Sequence, residues 1–264
     1  MPESCPLVEP ASASPRLPLL LGIQPVGSVH PAWLRALHAH GVNGPWIYQK
    51  SEHQSAKLIA SEAFFIEKFP SFAELVRRVG LCGPWRNEVI PTLHDSGQVW
   101  GRVERAMVRV LGLRTQAVHL VGLTPDGRCW VQQRSLQKPN DPGLWDTLMG
   151  GTVSGYETLA DTLERETCEE AGLRVSELQE VRHAGCFTAR RTTPDGGGYG
   201  LLVEETHCFV ATIPYGLVPA NQDGEVDHFE CWSPEQVRQA VAQNRFTPEA
   251  AWVLRQAGNW TLNG

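Results

Sequence analysis

Residues 150–173 read GGTVSGYETLADTLERETCEEAGL. Their spacing predicts a helix over residues 157–171, and one of its faces carries the side chains that we expect to pack on a sheet: Tyr156, Leu159, Ala160, Leu163, Thr167 and Ala171. On the adjacent face, Glu166, Glu169 and Glu170 are spaced i, i+3 and i+4, so they are neighbours in space. Like charges at this spacing weaken a helix by roughly a few tenths of a kcal/mol per pair.

A hard divalent cation would relieve this repulsion, because Mg²⁺ binds a few carboxylate oxygens together with water and substrate phosphates. The glutamate cluster therefore predicts a platform for Mg²⁺ or Mn²⁺ that binds a diphosphate. Taken alone, such a helix face is more commonly a solvated acidic surface. The choice between these two interpretations depends on the residues around the cluster.

The surrounding segment resembles the Nudix box, G-x5-E-x7-R-E-U-x-E-E-x-G-U, in which U is aliphatic. The residues that match are Gly151, Glu157, Arg165, Glu166, Glu169, Glu170, Gly172 and Leu173. Thr167 departs from the pattern because it stands where an aliphatic residue is expected. At ordinary residue frequencies such a match arises by chance on the order of once in 10⁸ windows. The resemblance implies a Nudix α/β/α sandwich with a mixed sheet and a metal-dependent pyrophosphohydrolase activity.

The resemblance also implies roles for residues of the box. Glu166, Glu169 and Glu170 would be catalytic and would hold the metal, and a backbone carbonyl near Gly150 would join them. Arg165 would hold the glutamates in place, which is compatible with a plain i,i+4 pair to Glu169.

Two positions beside the box leave alternatives open. Glu157 has a metal role as one alternative and a capping box with Ser154 as the other. Downstream, Asp223-Gly224-Glu225-Val226 follows a predicted strand, and Glu225 is our choice for an extra metal ligand or general base. Glu204 and Glu205 on the preceding strand are its rivals.

Three upstream residues are candidates for binding the substrate. Arg134 and Lys138 follow a predicted strand and are suited to contact a phosphate, with solvated loop charge as the alternative. Trp145 is a candidate for stacking on an aromatic ring of the substrate, with burial in the core as the alternative.

The order of features predicts an α/β protein. Residues 1–16 are predicted to form a loose tail, 17–111 a smaller α+β N-terminal domain, and 112–264 the Nudix domain. This order resembles the Nudix branch labelled thiamine-pyrophosphokinase-related, whose members carry an extra N-terminal domain of unknown function. The matching parts are 101–105, 117–122, 130–143, the box and 223–226. Membership would imply hydrolysis of thiamine diphosphate or its oxidised analogues, and action on oxidised nucleotides is ascribed to relatives.

Two rival functions remain on this fold. Residues 133–145 resemble isopentenyl-diphosphate isomerase, but that family has a catalytic cysteine just after the tryptophan, and residues 146–149 contain none. The second rival is a non-enzymatic ligand sensor, since a fold does not determine a function.

Bulk properties exclude other classes. The chain has 264 residues and a net charge of −6, which is not the basic excess typical of nucleic-acid binding. Seven cysteines without CxxC spacing predict neither a zinc site nor a disulfide framework, and they favour a reducing cytoplasm. No apolar run is long enough to predict a membrane span. The expected partner is a small-molecule diphosphate, and a homodimer is left open.

Overall fold

Two sheets contain the strands of the chain in the computed structural model, which describes residues 7–8, 15–51, 54–138 and 140–257. The strands are β1 Leu7–Val8, β2 Leu17–Leu21, β3 Gln24–Val29, β4 Ile47–Ser51, β5 Gln54–Ala60, β6 Val89–Leu93, β7 Val99–Glu104, β8 Arg114–Leu123, β9 Cys129–Arg134, β10 Trp145–Asp146, β11 Met149–Thr152, β12 Gln179–Thr193, β13 Gly200–Thr212 and β14 Val226–Trp232. The helices are α1 Pro31–Ala39, α2 Glu62–Arg78, α3 Arg105–Val108, α4 Leu159–Ala171, α5 Asp195–Gly198, α6 Pro234–Ala242 and α7 Pro248–Ala257, with a 3-10 turn at Val175–Glu177.

The larger sheet is organised around β8. Its main order is β1-β12-β13-β8-β6-β7, with β11 also paired to β8 and with β9 joining β8, β10 and β14. β8 is parallel to β13 and antiparallel to β11, so the sheet is mixed. Successive side chains of a strand point to opposite faces. Val118 and Leu120 therefore pack in one core with Leu163 of α4, whereas Val121 packs in another core with Val237 of α6. Helices on both faces of a mixed sheet confirm the predicted α/β class.

A smaller sheet lies in the N-terminal region. Its four strands follow the order β3-β2-β5-β4 and pack with residues of α1 and α2. Trp33 of α1 is fully buried there, and its Nε1 donates a hydrogen bond to the carbonyl of Leu81 at 2.7 Å. The polar edge of the ring thus has a partner inside an apolar core.

Strands β6 and β7 belong to the larger sheet although they lie within the predicted N-terminal domain. β6 pairs with β8 through Leu93 and Arg114. Within the predicted tail, β1 pairs with β12, and the guanidinium of Arg16 donates to the carbonyl of Tyr199 at 2.7 Å. Residues 1–6 and 9–14 lie outside the described residues. The division into 1–16, 17–111 and 112–264 stays a prediction.

Helix α4 begins at Leu159, two residues after its predicted start. Its N-cap is Thr158, which exchanges capping hydrogen bonds with Asp161 at 3.2 and 2.8 Å. Because the N-cap is Thr158, the alternative of a capping box between Ser154 and Glu157 is wrong, and the carboxylate of Glu157 is bound by Arg165. The helix ends at Gly172, whose φ of 66° suits a glycine.

The predicted burial of Tyr156 is also wrong. This side chain is 83% exposed, since the helix begins only three residues later. The guanidinium of Arg102 lies 3.9 Å from the centroid of its ring, in cation–π geometry.

The cysteines correct one expectation. Cys186 on β12 is disulfide-bonded, whereas five others are free: Cys82, Cys129, Cys168, Cys208 and Cys231. In the part of the chain that the structure describes, no helix has the length and apolar character needed to cross a membrane.

Candidate active site

A polar cleft of about 350 Å³ opens between α4, the larger sheet and the segment 86–109. Its basic lining residues are Arg86, Arg105, Arg109, Arg134, Lys138, Arg165 and Arg191. Its acidic lining residues are Glu88, Asp141, Asp146, Glu166, Glu169, Glu204, Asp223, Glu225 and Glu249. Among the described residues that line it, the hydrophobic side chains are Ala117 and Leu202. Such a cleft suits a small, highly charged ligand.

Glu170 is the most deeply buried of the three clustered glutamates, with 1% of its surface exposed. Its Oε2 accepts hydrogen bonds from Gln132 Nε2 at 2.9 Å and from the backbone N–H of Gly150 at 3.1 Å. Lys138 Nζ lies 3.8 Å from its Oε1. Burial raises the pKa of Glu170 to about 8, although Lys138 opposes this shift. The ionised form therefore needs a nearby cation.

Glu166 is also largely withdrawn from water. Burial raises its pKa to about 7 against the opposing charge of Arg165, whose Nη1 donates to Oε1 at 2.7 Å. The side chain of Glu166 lies directly over Gly151, where any Cβ would overlap its carboxyl carbon. Gly151 is thus required for space at this position.

Arg165 connects the glutamates of the helix. Its Nε and Nη2 donate to the two carboxylate oxygens of Glu157 at 2.7 and 2.9 Å. Its Nη1 donates to Glu166 and, at 3.0 Å, to Glu169. The hydrogen bonds from Arg165 lower the pKa of Glu157, and the bond to Glu157 raises the pKa of Arg165. Glu169 is the open member of the cluster, with 49% of its side chain exposed.

Lys138 and Glu225 meet across the cleft. Lys138 Nζ donates to Glu225 Oε2, and Arg86 Nη1 lies 3.5 Å from Glu225 Oε1. Burial alone would raise the pKa of Glu225, but the hydrogen bond from Lys138 and the charges of Lys138, Arg86 and Arg105 bring it below its ordinary value. Glu225 is therefore held ionised at the mouth of the site.

Glu204 and Glu205, the two rivals of Glu225, point to opposite faces of β13. Glu204 lines the cleft and accepts from the hydroxyl of Thr152 at 3.3 Å. Glu205 pairs with Arg114 at 2.6 Å and with His207 at 2.9 Å on the other face. Only Glu204 of these two lies among the residues that line the cleft.

Arg134 lines the cleft as predicted, but its guanidinium also supports the neighbouring loop. It donates to Asp146 Oδ2 at 3.3 Å and to the carbonyls of Asn140 and Asp141 at 3.1 and 3.2 Å. A phosphate bound by Arg134 would use its remaining donors.

The assignment of Trp145 to substrate binding is corrected. Its side chain is 5% exposed, and its ring centroid lies 4.4 Å from that of Trp232 in the core. Trp145 is not among the residues that line the cleft. The alternative of a buried core tryptophan fits this position.

Several residues of the cleft were missed by sequence reasoning. His119 lies on β8, and its Nδ1 is 2.9 Å from the hydroxyl of Thr147. Arg86, Arg105 and Arg109 come from the segment to which no chemistry was assigned. The sequence carries no periodic signal for any of them, because they reach the cleft only through the pairing of β6 and β8.

The carboxylates of the glutamate helix are suited to a divalent metal by their chemistry, but they are not already arranged around a metal position. Among the described residues, no group of three His, Cys, Asp or Glu side chains is arranged to hold a metal. Arg165 donates to one oxygen of Glu166, and Gln132 donates to one oxygen of Glu170. The donor set nevertheless consists of oxygens, which Mg²⁺ prefers. A divalent cation would stabilise the ionised form of the two buried carboxylates, whose pKa values are raised by burial.

The mixed α/β fold and the glutamate helix define the class of this protein. The model of the NUDIX domain matches residues 113–253. The chain belongs to the Nudix family, whose hydrolases generally use divalent metal ions.

Individual relatives support the same class. Nudix hydrolase 24, chloroplastic, of Arabidopsis thaliana is 30% identical over 171 residues, covering 63% of this chain and 46% of that protein. Nudix hydrolase YfcD of Escherichia coli K12 is 28% identical over 182 residues, covering 65% and 90%. The chain spans about half the length of the plant and yeast relatives that it matches.

The fold is also found in a solved structure. The crystal structure of DR0079 from Deinococcus radiodurans superimposes with a TM-score of 0.52 and 20% identity, over 64% of this chain and 98% of that one.

Proposed function

We propose that the chain is a metal-dependent pyrophosphohydrolase that cleaves the P–O–P bond of a small organic diphosphate. The observation that carries the proposal is Glu166, a largely buried carboxylate with a raised pKa, in a cleft whose lining combines carboxylates with six arginines and a lysine. Carboxylates suit a divalent cation, and guanidinium and ammonium groups suit phosphates, so a metal-bound diphosphate fits both kinds of group. Membership of the Nudix family supports the same reaction class.

Each residue of the site then has a task. Glu166, Glu169 and Glu170 would hold Mg²⁺ or Mn²⁺ with help from the backbone near Gly150, and Arg165 would orient them. When bound, the metal would neutralise charge on the phosphates and acidify a water.

The phosphates and the attacking water need further residues. Arg134 and Lys138 would bind phosphate oxygens through charge-assisted hydrogen bonds. Glu225, held ionised by Lys138, would orient the attacking water, with Glu169 as the rival for this role.

The lining of the cleft bears on the organic half of the substrate. A cleft whose hydrophobic side chains are Ala117 and Leu202, among the described residues, offers little to an isoprenyl chain. Cysteine is also absent from the described lining, which disfavours the isomerase chemistry. We retain thiamine diphosphate, its oxidised analogues and oxidised nucleotides as candidate substrates, together with membership of the thiamine-pyrophosphokinase-related branch. The cytoplasmic location and the homodimer stay predictions.

The experiment is phosphate and pyrophosphate release from a panel of diphosphates, with Mg²⁺ and with Mn²⁺. The panel contains thiamine and oxothiamine diphosphates, normal and oxidised nucleotides, and isopentenyl diphosphate. We expect metal-dependent release that Glu170→Gln lowers by orders of magnitude and Glu164→Gln, an exposed position on the same helix, leaves unchanged. Tight binding of one compound without turnover of any would favour the sensor, and isomerised product would favour the isomerase.

A further inference from the structure

The segment 86–109 forms a basic wall of the cleft that the glutamate helix also lines. It contributes three arginines to the lining of the cleft, Arg86, Arg105 and Arg109, and one acidic residue, Glu88. These residues lie outside residues 113–253, which the NUDIX domain model matches. The Nudix part of the chain by itself would therefore lack this wall.

Arg105 and Arg109 keep hydrogen-bond donors for a ligand. Within the described residues, Arg105 Nη1 pairs with Glu88 Oε2 at 2.8 Å, and Arg109 Nη1 lies 3.5 Å from Asp195 Oδ2. A guanidinium has five N–H donors in a planar fork, so each arginine uses a minority of its donors in these pairs. The two residues are spaced i, i+4 at helix α3, and both line the cleft.

A small side cavity of about 60 Å³ lies next to these two arginines. Its other polar side chains include Thr115, Thr152, Glu204 and Asp195, the last of which pairs with Arg109, and Ile90, Val108 and Leu202 supply apolar surface. Since a water molecule takes about 30 Å³ of liquid volume, this space suits one small polar group rather than a ring. A phosphoryl group has acceptor oxygens for the arginines and, when singly protonated, a hydroxyl for Glu204.

The charges of the basic wall also affect the pKa values of two carboxylates in the cleft. The charge of Arg105 lowers the pKa of Glu166, where burial has the larger and opposite effect. Arg86 and Arg105 likewise lower the pKa of Glu225. Because the three arginines line the same cleft as Glu166 and Glu169, a single polyphosphate chain in that cleft can contact both the glutamate helix and the arginines.

We propose that Arg105 and Arg109 form a second anion site that takes a phosphoryl group of the substrate beyond the diphosphate held at the glutamate helix. The inference rests on the proposed function, because the diphosphate is placed at that helix. Among the candidate substrates it favours oxidised nucleoside triphosphates over thiamine diphosphate, which has no phosphoryl group beyond the diphosphate. It also makes the segment 86–109 part of the substrate site.

The test measures binding without turnover, on the full chain with Mg²⁺. The probes are pyrophosphate and tripolyphosphate analogues whose bridging oxygens are replaced by methylene, and calorimetry gives Kd for each. We expect the longer analogue to bind at least about tenfold more tightly, in line with charge-assisted hydrogen bonds. In the double variant Arg105→Gln and Arg109→Gln the two Kd values should become nearly equal, with the Kd of the shorter analogue changed less than about threefold.

Matched variants keep the result interpretable. Arg238→Gln removes an exposed arginine of α6 that pairs with Glu235, and it should preserve the preference for the longer analogue. If the double variant does not fold, Arg105→Lys and Arg109→Lys keep the charge but lose the fork, and they should reduce the preference.

Equal Kd values for the two analogues in the unmodified chain would overturn the inference. A preference for the longer analogue that survives in the double variant would also overturn it, and so would an equal rise of both Kd values in that variant. Binding with this preference in a chain that hydrolyses nothing would refute the proposed function alone. Hydrolysis without the preference would refute the inference alone.

Discussion

Arg165 binds Glu157 through both ends of its guanidinium fork, with Nε to Oε1 at 2.7 Å and Nη2 to Oε2 at 2.9 Å. A bidentate pair of this kind restricts both side chains. The same guanidinium continues to Glu166, so Glu157 orients Glu166 through Arg165. We therefore propose a positioning role for Glu157, which differs from both the capping box and the metal role considered for it.

Glu157→Gln is expected to lower kcat/KM by about 10- to 100-fold, the usual cost of losing a residue that orients metal ligands. Steady-state kinetics over a Mg²⁺ titration measures this effect, with Glu164→Gln as the exposed control. Because Glu157 acts through Arg165, the Mg²⁺ concentration for half-maximal rate should rise less than in Glu166→Gln. An equal rise in both variants would favour a direct metal role for Glu157.

The stability of the metal-free chain should fall as the pH rises. Burial raises the pKa of Glu166 to about 7 and that of Glu170 to about 8, above the ordinary value of 4.5. The folded state then binds more protons than the unfolded state, so this contribution is complete below the ordinary pKa and is lost as the pH rises through the raised values. Tm measured in a chelator between about pH 5 and pH 8.5 should decline.

Two further measurements test the origin of this decline. Glu170→Gln should flatten the curve because the buried ionisable group is gone, and Glu164→Gln should leave it unchanged. Saturating Mg²⁺ should raise Tm most at the alkaline end, because the metal binds the ionised carboxylates. A Tm that does not depend on pH in the metal-free chain would contradict the prediction.

Gly151→Ala should disable the site while leaving the fold intact. The added Cβ would overlap the carboxyl group of Glu166, which is the movable end of a side chain. Glu166 would be displaced, and we expect kcat/KM to fall by about 10- to 100-fold with little change in Tm. Gly101→Ala is the matched control, since its Cβ would meet Thr92 Oγ1 at an ordinary 3.7 Å. Equal activities of the two variants would refute this account of Gly151.

Trp145→Ala should act on stability, because the ring is buried against Trp232 and Phe246. Truncating a buried tryptophan costs about 3–5 kcal/mol, measurable as the free energy of unfolding in urea. Trp145→Phe keeps most of the packing and should leave KM unchanged. A raised KM with unaltered stability would return Trp145 to the substrate site.

The start of α4 can be located by two alanine substitutions. Thr158→Ala removes the N-cap and should lower the free energy of unfolding by about 1 kcal/mol. Ser154→Ala should change it far less, because Thr158 caps the helix. The opposite ranking in chemical denaturation would restore the alternative of a capping box between Ser154 and Glu157.

The helix face with Glu166, Glu169 and Glu170 could be predicted from the sequence, as could the glycines on either side of the helix. These features depend on spacing within one continuous segment, and helix geometry converts such spacing directly into neighbours. The family followed from the same short segment. The exact start of α4 did not, because Ser154 and Thr158 are both followed three residues later by an acid that can complete a capping box.

Tertiary structure decided the rest of the candidate site. Lys138 meets Glu225 across 87 positions of the chain, and Arg86 meets the same glutamate across 139. Such contacts depend on which strands pair, and local patterns of residue types do not reveal that pairing. The burial of Trp145 also depends on non-local contacts, because the residues that bury it come from β14 and the segment before α7. The local sequence therefore determined the glutamate helix that lines the cleft. Strand pairing determined the basic wall that the segment 86–109 adds to the same cleft.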